Sequence, residues 1–104
     1  MDALKPNQIF QILDFYGFVT SGTCEMNGMR SIHDESSCRS AGTWSGKNMK
    51  NFQVMSSSYG NSKPTGCSWH NSGNVELWKS SSGDCGAGYH GCFCMKTQGK
   101  NFLF

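Results

Sequence analysis

This chain of 104 residues has no long apolar run, no block of like charge, no Cys-x2-Cys knuckle and only two prolines. Each absence excludes something. No stretch approaches the roughly 20 apolar residues of a membrane span, so no transmembrane segment is expected. The nine basic residues are scattered from Lys5 to Lys100, which leaves no electrostatic footprint for nucleic acid. No Asn-x-Ser/Thr sequon occurs, so N-glycosylation is not expected. The opening MDALKPNQIF lacks a charged segment followed by an apolar one and does not read as a signal peptide. If the chain is oxidised, the expectation is that a targeting segment has been removed and the numbering begins near a mature terminus.

A domain this small has a marginal core. Thirteen glycines and many serines add chain entropy without adding much buried surface. The remedy present is cysteine: Cys24, Cys38, Cys67, Cys85, Cys92 and Cys94. An even number in a short, loop-rich chain reads as a disulfide framework, each bridge contributing on the order of 2–4 kcal/mol. An oxidising compartment follows. Six cysteines allow fifteen connectivities. Alternate residues of a strand do not readily bond each other, which removes those joining Cys92 to Cys94. Among the rest, the expectation is a Cys67–Cys85 clasp, with Cys24 and Cys38 each reaching one of Cys92 and Cys94.

The chain is organised around Lys63–Lys96, which holds four of the cysteines, two of the three tryptophans and two of the three histidines. Asn71-Ser72-Gly73-Asn74 is a turn sequence joining GCSWH to NVELWK as a hairpin. Val75 and Leu77 fall on one face of it, Glu76 and Trp78 on the other. Cys92-Phe93-Cys94-Met95 alternates in the same way, and Phe52 and Val54 mark a further short strand. Upstream, Ile9, Ile12, Leu13 and Tyr16, widened by Phe10, Phe15 and Phe18, carry helical spacing over 5–19. Pro6 suits its first turn. A second helix is expected over 34–41, with Asp34 as cap, Glu35 in its first turn, Cys38 facing the sheet and Gly42 as stop. Residues 43–51 then read as a loop with Trp44 anchored in the core. The fold class expected is α+β: two helices on a small antiparallel sheet, divided as a docking helix (1–19), a stapled domain (20–96) and an apolar tail (97–104).

Catalysis finds little support. Cys85, His90, Cys92 and Cys94, with Cys67 and His70 nearby, form the best metal-like cluster, but paired ligand spacing is lacking; no metal and no cofactor are expected. A thiol nucleophile at Cys92 beside His90 would need a free cysteine. The carboxylates Glu25, Asp34, Glu35, Glu76 and Asp84 offer no obvious acid–base pair. A non-catalytic module is therefore expected. Ile9, Phe10, Ile12, Leu13 and Tyr16, with Phe102, Leu103 and Phe104 of the tail, are the candidate partner-binding residues, since they are too many for a small core. The alternative is carbohydrate binding, with Trp69, Trp78 and Tyr89 as a stacking platform on one sheet face and Asn71, Asn74 and Glu76 as hydrogen-bonding groups.

KPTGC, the NVELWK hairpin strand, DC and the closing CFCMK, preceded by GTCEMNGMRSIHDESSCRSAG, resemble a small cysteine-rich domain of algal and other protist proteins. The likeness spans about residues 20–96. It departs in Lys79, where the strand usually ends in Asn, and in Met95 between the last cysteine and the lysine. That family brings no catalytic residues. It implies an oxidising setting such as the thylakoid lumen, and as partner a larger, membrane-embedded photosynthetic complex. A secreted or cell-surface location goes with the glycan alternative. The closing CFCMK also resembles the end of C-type lectin domains, but their Glu-Pro-Asn and Trp-Asn-Asp calcium patterns are missing.

Overall fold

The computed structural model describes residues 15–56 and 59–96. They form a six-stranded mixed sheet with a single α-helix and two short 3-10 turns (Glu25–Asn27 and Gly60–Ser62). The strands are β1 (Tyr16–Val19), β2 (Met29–Ser31), β3 (Asn51–Met55), β4 (Gly66–Trp69), β5 (Asn74–Trp78) and β6 (Gly91–Lys96); α1 spans Glu35–Ser45. The order across the sheet is β1-β6-β4-β5-β3. β2 continues the line of β4 along β6, since Met95 pairs with Tyr16 on one edge and Arg30 on the other. All pairings are antiparallel except β3 with β5.

Strand alternation splits the molecule into two cores. On one face Phe93, Cys67, Val75 and Leu77 meet Ile32 and, from the helix, Cys38 and Ala41, all fully buried. On the other face Cys92 and Cys94 lie with Cys24, Cys85 and Val19 under the loops that flank β1 and β6. A helix seals the first core; the second has no helix and is sealed by bridges. Cys38–Cys67 ties α1 to β4, while Cys24–Cys94 and Cys85–Cys92 hold the loops against β6.

The helix is specified locally. Asp34, extended in backbone, accepts the Ser37 amide at 2.8 Å, and Glu35 pairs with Arg39 one turn on at 2.9 Å. The end comes at Gly46, whose φ of 70° a side chain would oppose. Gly42, expected as the stop, instead lies inside the helix. A Cβ there would meet the flexible thioether end of Met49, which packs over this turn of the helix.

Several expectations are overturned. The helix expected over 5–19 does not reach its C-terminal part: residues 16–19 are β1, paired with Met95 to Cys92 of β6. Tyr16 and Phe18 satisfy helical spacing equally with the alternation of a strand, and the open edge of β6 decides in favour of pairing. Ile9, Phe10, Ile12 and Leu13, like Phe102, Leu103 and Phe104, lie outside the described residues. The two-helix, antiparallel α+β fold thus gives way to a mixed sheet with one helix. Trp44 belongs to α1 and is 39% exposed, its ring 5.9 Å from that of Tyr16, so it anchors no loop in the core. The Cys67–Cys85 clasp is also wrong. Cys67 faces the helix side of the sheet and Cys92 the loop side, so Cys67 bonds Cys38 and Cys85 bonds Cys92. Of the long-range pairs, Cys24 with Cys94 forms as expected, but Cys38 reaches neither Cys92 nor Cys94.

Bridges closing loops of such different length should differ in weight. Cys24–Cys94 spans 70 residues and Cys85–Cys92 only 7. Chain entropy then predicts that the double alanine variant at Cys24 and Cys94 loses about 2 kcal/mol more than the one at Cys85 and Cys92, measurable by denaturant unfolding. Asp34→Ala should cost on the order of 1 kcal/mol and Asp34→Asn much less. The Ser37 amide holds the Asp34 carboxyl below its ordinary 3.8. Its contribution is therefore present above that value and lost as pH falls through the lower folded value, so the two unfolding curves should converge in strong acid.

Candidate functional site

The face of the sheet opposite the helix is covered unevenly. Loops bonded through Cys24 and Cys85 lie over β1 and β6, whereas the β3–β5 pair at the far edge is left open. There the register sets Asn51 beside Asn74, Gln53 beside Glu76 and Met55 beside Trp78, so alternate residues of both strands project to this face. Phe52 and Val75, one step out of phase, turn towards the helix, where the Arg39 guanidinium lies 4.1 Å above the Phe52 ring. The result is an open groove of about 330 Å³ lined by Asn51, Phe52, Gln53, Asn74, Val75 and Glu76.

Its polar groups are ordered by their neighbours. Asn51 Nδ2 donates to Asn74 Oδ1 at 3.1 Å. Buried Ser68, directly across from Glu76, donates to the Glu76 carbonyl at 2.9 Å. The Tyr89 hydroxyl donates to the Glu76 carboxylate. Burial first, and then this hydrogen bond and the carboxylate charge, push the Tyr89 phenol well above the ordinary tyrosine value.

Tyr89 belongs to a line of rings rounding the end of the sheet. Trp69 meets His90 at 6.0 Å, His90 meets His70 at 4.6 Å, and His70 meets Tyr89 at 6.5 Å. Tyr89 then meets Trp78 at 6.4 Å, and Trp78 meets Tyr59 at 5.3 Å. The two ends of this line are on opposite faces. Trp69 pairs with Val75 and so shares the helix side with Phe18, both capped by the Lys47 ammonium. Trp78 lies on the loop side, 2% exposed, beneath Lys63. Trp69, Trp78 and Tyr89 therefore do not make one stacking platform. Only Trp78 and Tyr89 share a face with Asn74 and Glu76, and Trp78 is too covered to offer its ring. Asn71 sits in the hairpin turn.

The histidines serve that turn. The Ser72 amide donates to His70 Nδ1 at 3.0 Å and the Asn71 amide to His90 Nδ1 at 3.3 Å. A neutral ring accepting at Nδ1 carries its proton on Nε2, which leaves neither nitrogen free as an ordinary metal ligand. All six cysteines are bridged, so Cys92 offers no thiolate to His90. Among the described residues no group of three or more His, Cys, Asp or Glu is arranged to hold a metal ion.

The described carboxylates are likewise in structural use. Asp84 accepts the Gly22 amide at 2.7 Å and the Gly86 amide at 2.8 Å, closing the loop around Cys85. Burial alone would raise Glu25, but the amide and hydroxyl of Ser31, both at 2.8 Å, outweigh it and hold the carboxyl below its usual range. Sequence reading found Asn74, Glu76 and Tyr89 and missed Asn51 and Gln53. The Asn-x-Gln alternation around Phe52 was the available signal, but its parallel pairing with β5 was not visible.

Of the partner-binding residues named above, Tyr16 alone is described. It is half-buried between Phe15 and Trp44. Its strand brings the first and last described residues together: the Lys96 amide donates to the Phe15 carbonyl at 2.9 Å, and Tyr16 pairs with Met95. Residues 1–14 and 97–104 thus join the domain side by side, at the edge of the sheet away from the groove. No described helix is long and apolar enough to cross a membrane.

Tyr89→Phe should cost on the order of 1 kcal/mol by stranding the Glu76 carboxylate. Because the folded phenol ionises later than the unfolded one, its contribution is complete below the ordinary tyrosine value of 10.0 and lost as pH rises through the higher folded value. In an absorbance titration of the tyrosinates, Tyr89→Phe should remove the latest-titrating component while Tyr16→Phe and Tyr59→Phe leave it in place.

Compared with family models, with curated proteins and with solved structures, the chain returns no match in any of the three.

Proposed function

We propose that this is a non-catalytic protein-interaction module of an oxidising compartment, docking on a larger complex through its two apolar ends. The three bridges support the compartment, extracellular or lumenal. The carrying observation for docking is the Lys96–Phe15 hydrogen bond with the Tyr16–Met95 pairing. It turns two apolar segments, distant in sequence, into neighbours at their roots. One segment contributes Ile9, Phe10, Ile12 and Leu13, the other Phe102, Leu103 and Phe104. Exposed Trp44 and half-buried Tyr16 lie together at the same edge, beside those roots. A contact formed by both ends gains the second at little further cost in freedom, because the sheet already holds their roots together.

The algal resemblance supplies the more specific form of the proposal: a lumenal accessory subunit of a photosynthetic membrane complex, a photosystem. The test is size fractionation of gently solubilised native membranes, with the chain followed by mass spectrometry. It should migrate with a large pigment–protein complex. Replacing Ile9, Phe10, Ile12 and Leu13 by serine, or Phe102, Leu103 and Phe104 by serine, should each release it while the three disulfides still form. Recovery of the unaltered chain only as a free small protein, or in the secreted fraction, would sink the proposal. So would undiminished co-migration of both serine variants.

A further inference from the structure

The groove on β3 and β5 is remote from Phe15 and Lys96, the described residues from which the docking segments continue, at the other edge of the sheet. Its chemistry is nevertheless selective. Asn51, Gln53 and Asn74 present carboxamides, each able both to donate and to accept, and Glu76 presents a carboxylate. No lysine or arginine lines it, so it offers nothing to a phosphate, a sulfate or an acidic peptide. Its floor is the backbone of Phe52 and Val75, whose side chains face the opposite core, so it gives no apolar seat to a lipid tail. A volume of about 330 Å³ lies at the lower end of ordinary ligand sites, roughly 300–1,000 Å³.

Neutral hydroxyls spaced along a ring are what such a surface satisfies. A vicinal diol donates to a carboxylate and exchanges hydrogen bonds with carboxamides at the spacing of adjacent strands. We infer that this groove is a binding site for a small neutral saccharide, its hydroxyls taken by Asn51, Gln53, Asn74 and Glu76. Two features favour a fixed ligand geometry. Asn74 is oriented by Asn51 at 3.1 Å. Glu76 is oriented from two directions, its carbonyl by Ser68 and its carboxylate by Tyr89. Rigid donors and acceptors lose little freedom when a ligand arrives. Gln53, exposed on the edge strand, is the member free to close over it. Tyr89, half-buried beside Glu76, reaches the groove only through the hydroxyl that holds the Glu76 carboxylate.

The test uses the full oxidised chain labelled with nitrogen-15, titrated with a panel of neutral disaccharides of glucose, galactose and mannose. At least one sugar should move the side-chain amide signals of Asn51, Gln53 and Asn74 together, saturably. Gln53→Ala, at an exposed position where the fold is not at stake, should weaken that sugar by about tenfold. Met26→Ala, at an exposed position of the 3-10 turn Glu25–Asn27, should leave its affinity unchanged. The inference is overturned if no sugar of the panel shifts these signals, or if only a sulfated sugar used for comparison does so. Shifts that persist undiminished in Gln53→Ala overturn it too. None of these outcomes depends on the chain ends, so they leave the docking proposal to its own experiment.

Discussion

Three consecutive residues of β6 carry the architecture. Cys92 and Cys94 face the loops and Phe93 faces the helix, because successive side chains of a strand point to opposite sides. Among the described residues, Phe93 sits at the centre of the core built from ordinary apolar packing. Its two neighbours anchor a second core that contains almost no large side chain apart from sulfur. A one-residue slip of β6 would drive both cysteines into the helix side and Phe93 under the loops, abolishing two bridges and the apolar core together. The disulfides on either side of Phe93 therefore fix the register of the strand to which three others are paired.

The distribution of bridges follows from the same constraint. A helix such as α1 covers a sheet face by burying a stripe of side chains. On the opposite face the loop between β1 and β2 brings only Cys24, beside Val19 and half-buried Met29 of the strands, far too little area to offset its own ordering. Covalent closure takes the place of that area. On the helix side one bridge, Cys38–Cys67, supplements packing that already includes Ile32, Val75, Leu77 and Phe93. On the loop side two bridges replace it.

Local signals were readable in the sequence where they act within a few residues. Asp34 and Glu35 mark a helix start, Asn71 to Asn74 a turn, and Cys92 to Met95 an alternating strand, and each of these elements forms where its residues indicate. What was not readable depends on pairings between distant strands. Tyr16 and Phe18 fit a helix as well as a strand until β6 is known to have a free edge beside them. Cys67 and Cys85 look like a clasp until the sheet shows that they face opposite sides. Trp69 and Trp78 look like one platform for the same reason: nine positions apart across a turn, they end on opposite faces because Trp69 is set against Val75 rather than Glu76. Half of the groove was hidden in the same way, since Asn51 and Gln53 come to it only through a parallel pairing with β5.

The uneven covering of the loop-side face leaves part of one sheet outside the work of stability. Bridged loops seal β1 and β6, where Cys92 and Cys94 must be kept dry. Around the groove the β3–β5 edge needs no such cover, because Val75 and Leu77 point to the helix, and Trp78, the one buried residue of β5 on the loop side, lies beyond it under Tyr59 and Lys63. Its other face is consequently free to carry carboxamides and a carboxylate without a desolvation cost to the fold. Substitution at Gln53 or Asn51 touches neither core, whereas substitution at almost any position of β6 touches one of them. A small domain held by three bridges gains in this way a surface whose chemistry can vary while its frame stays fixed.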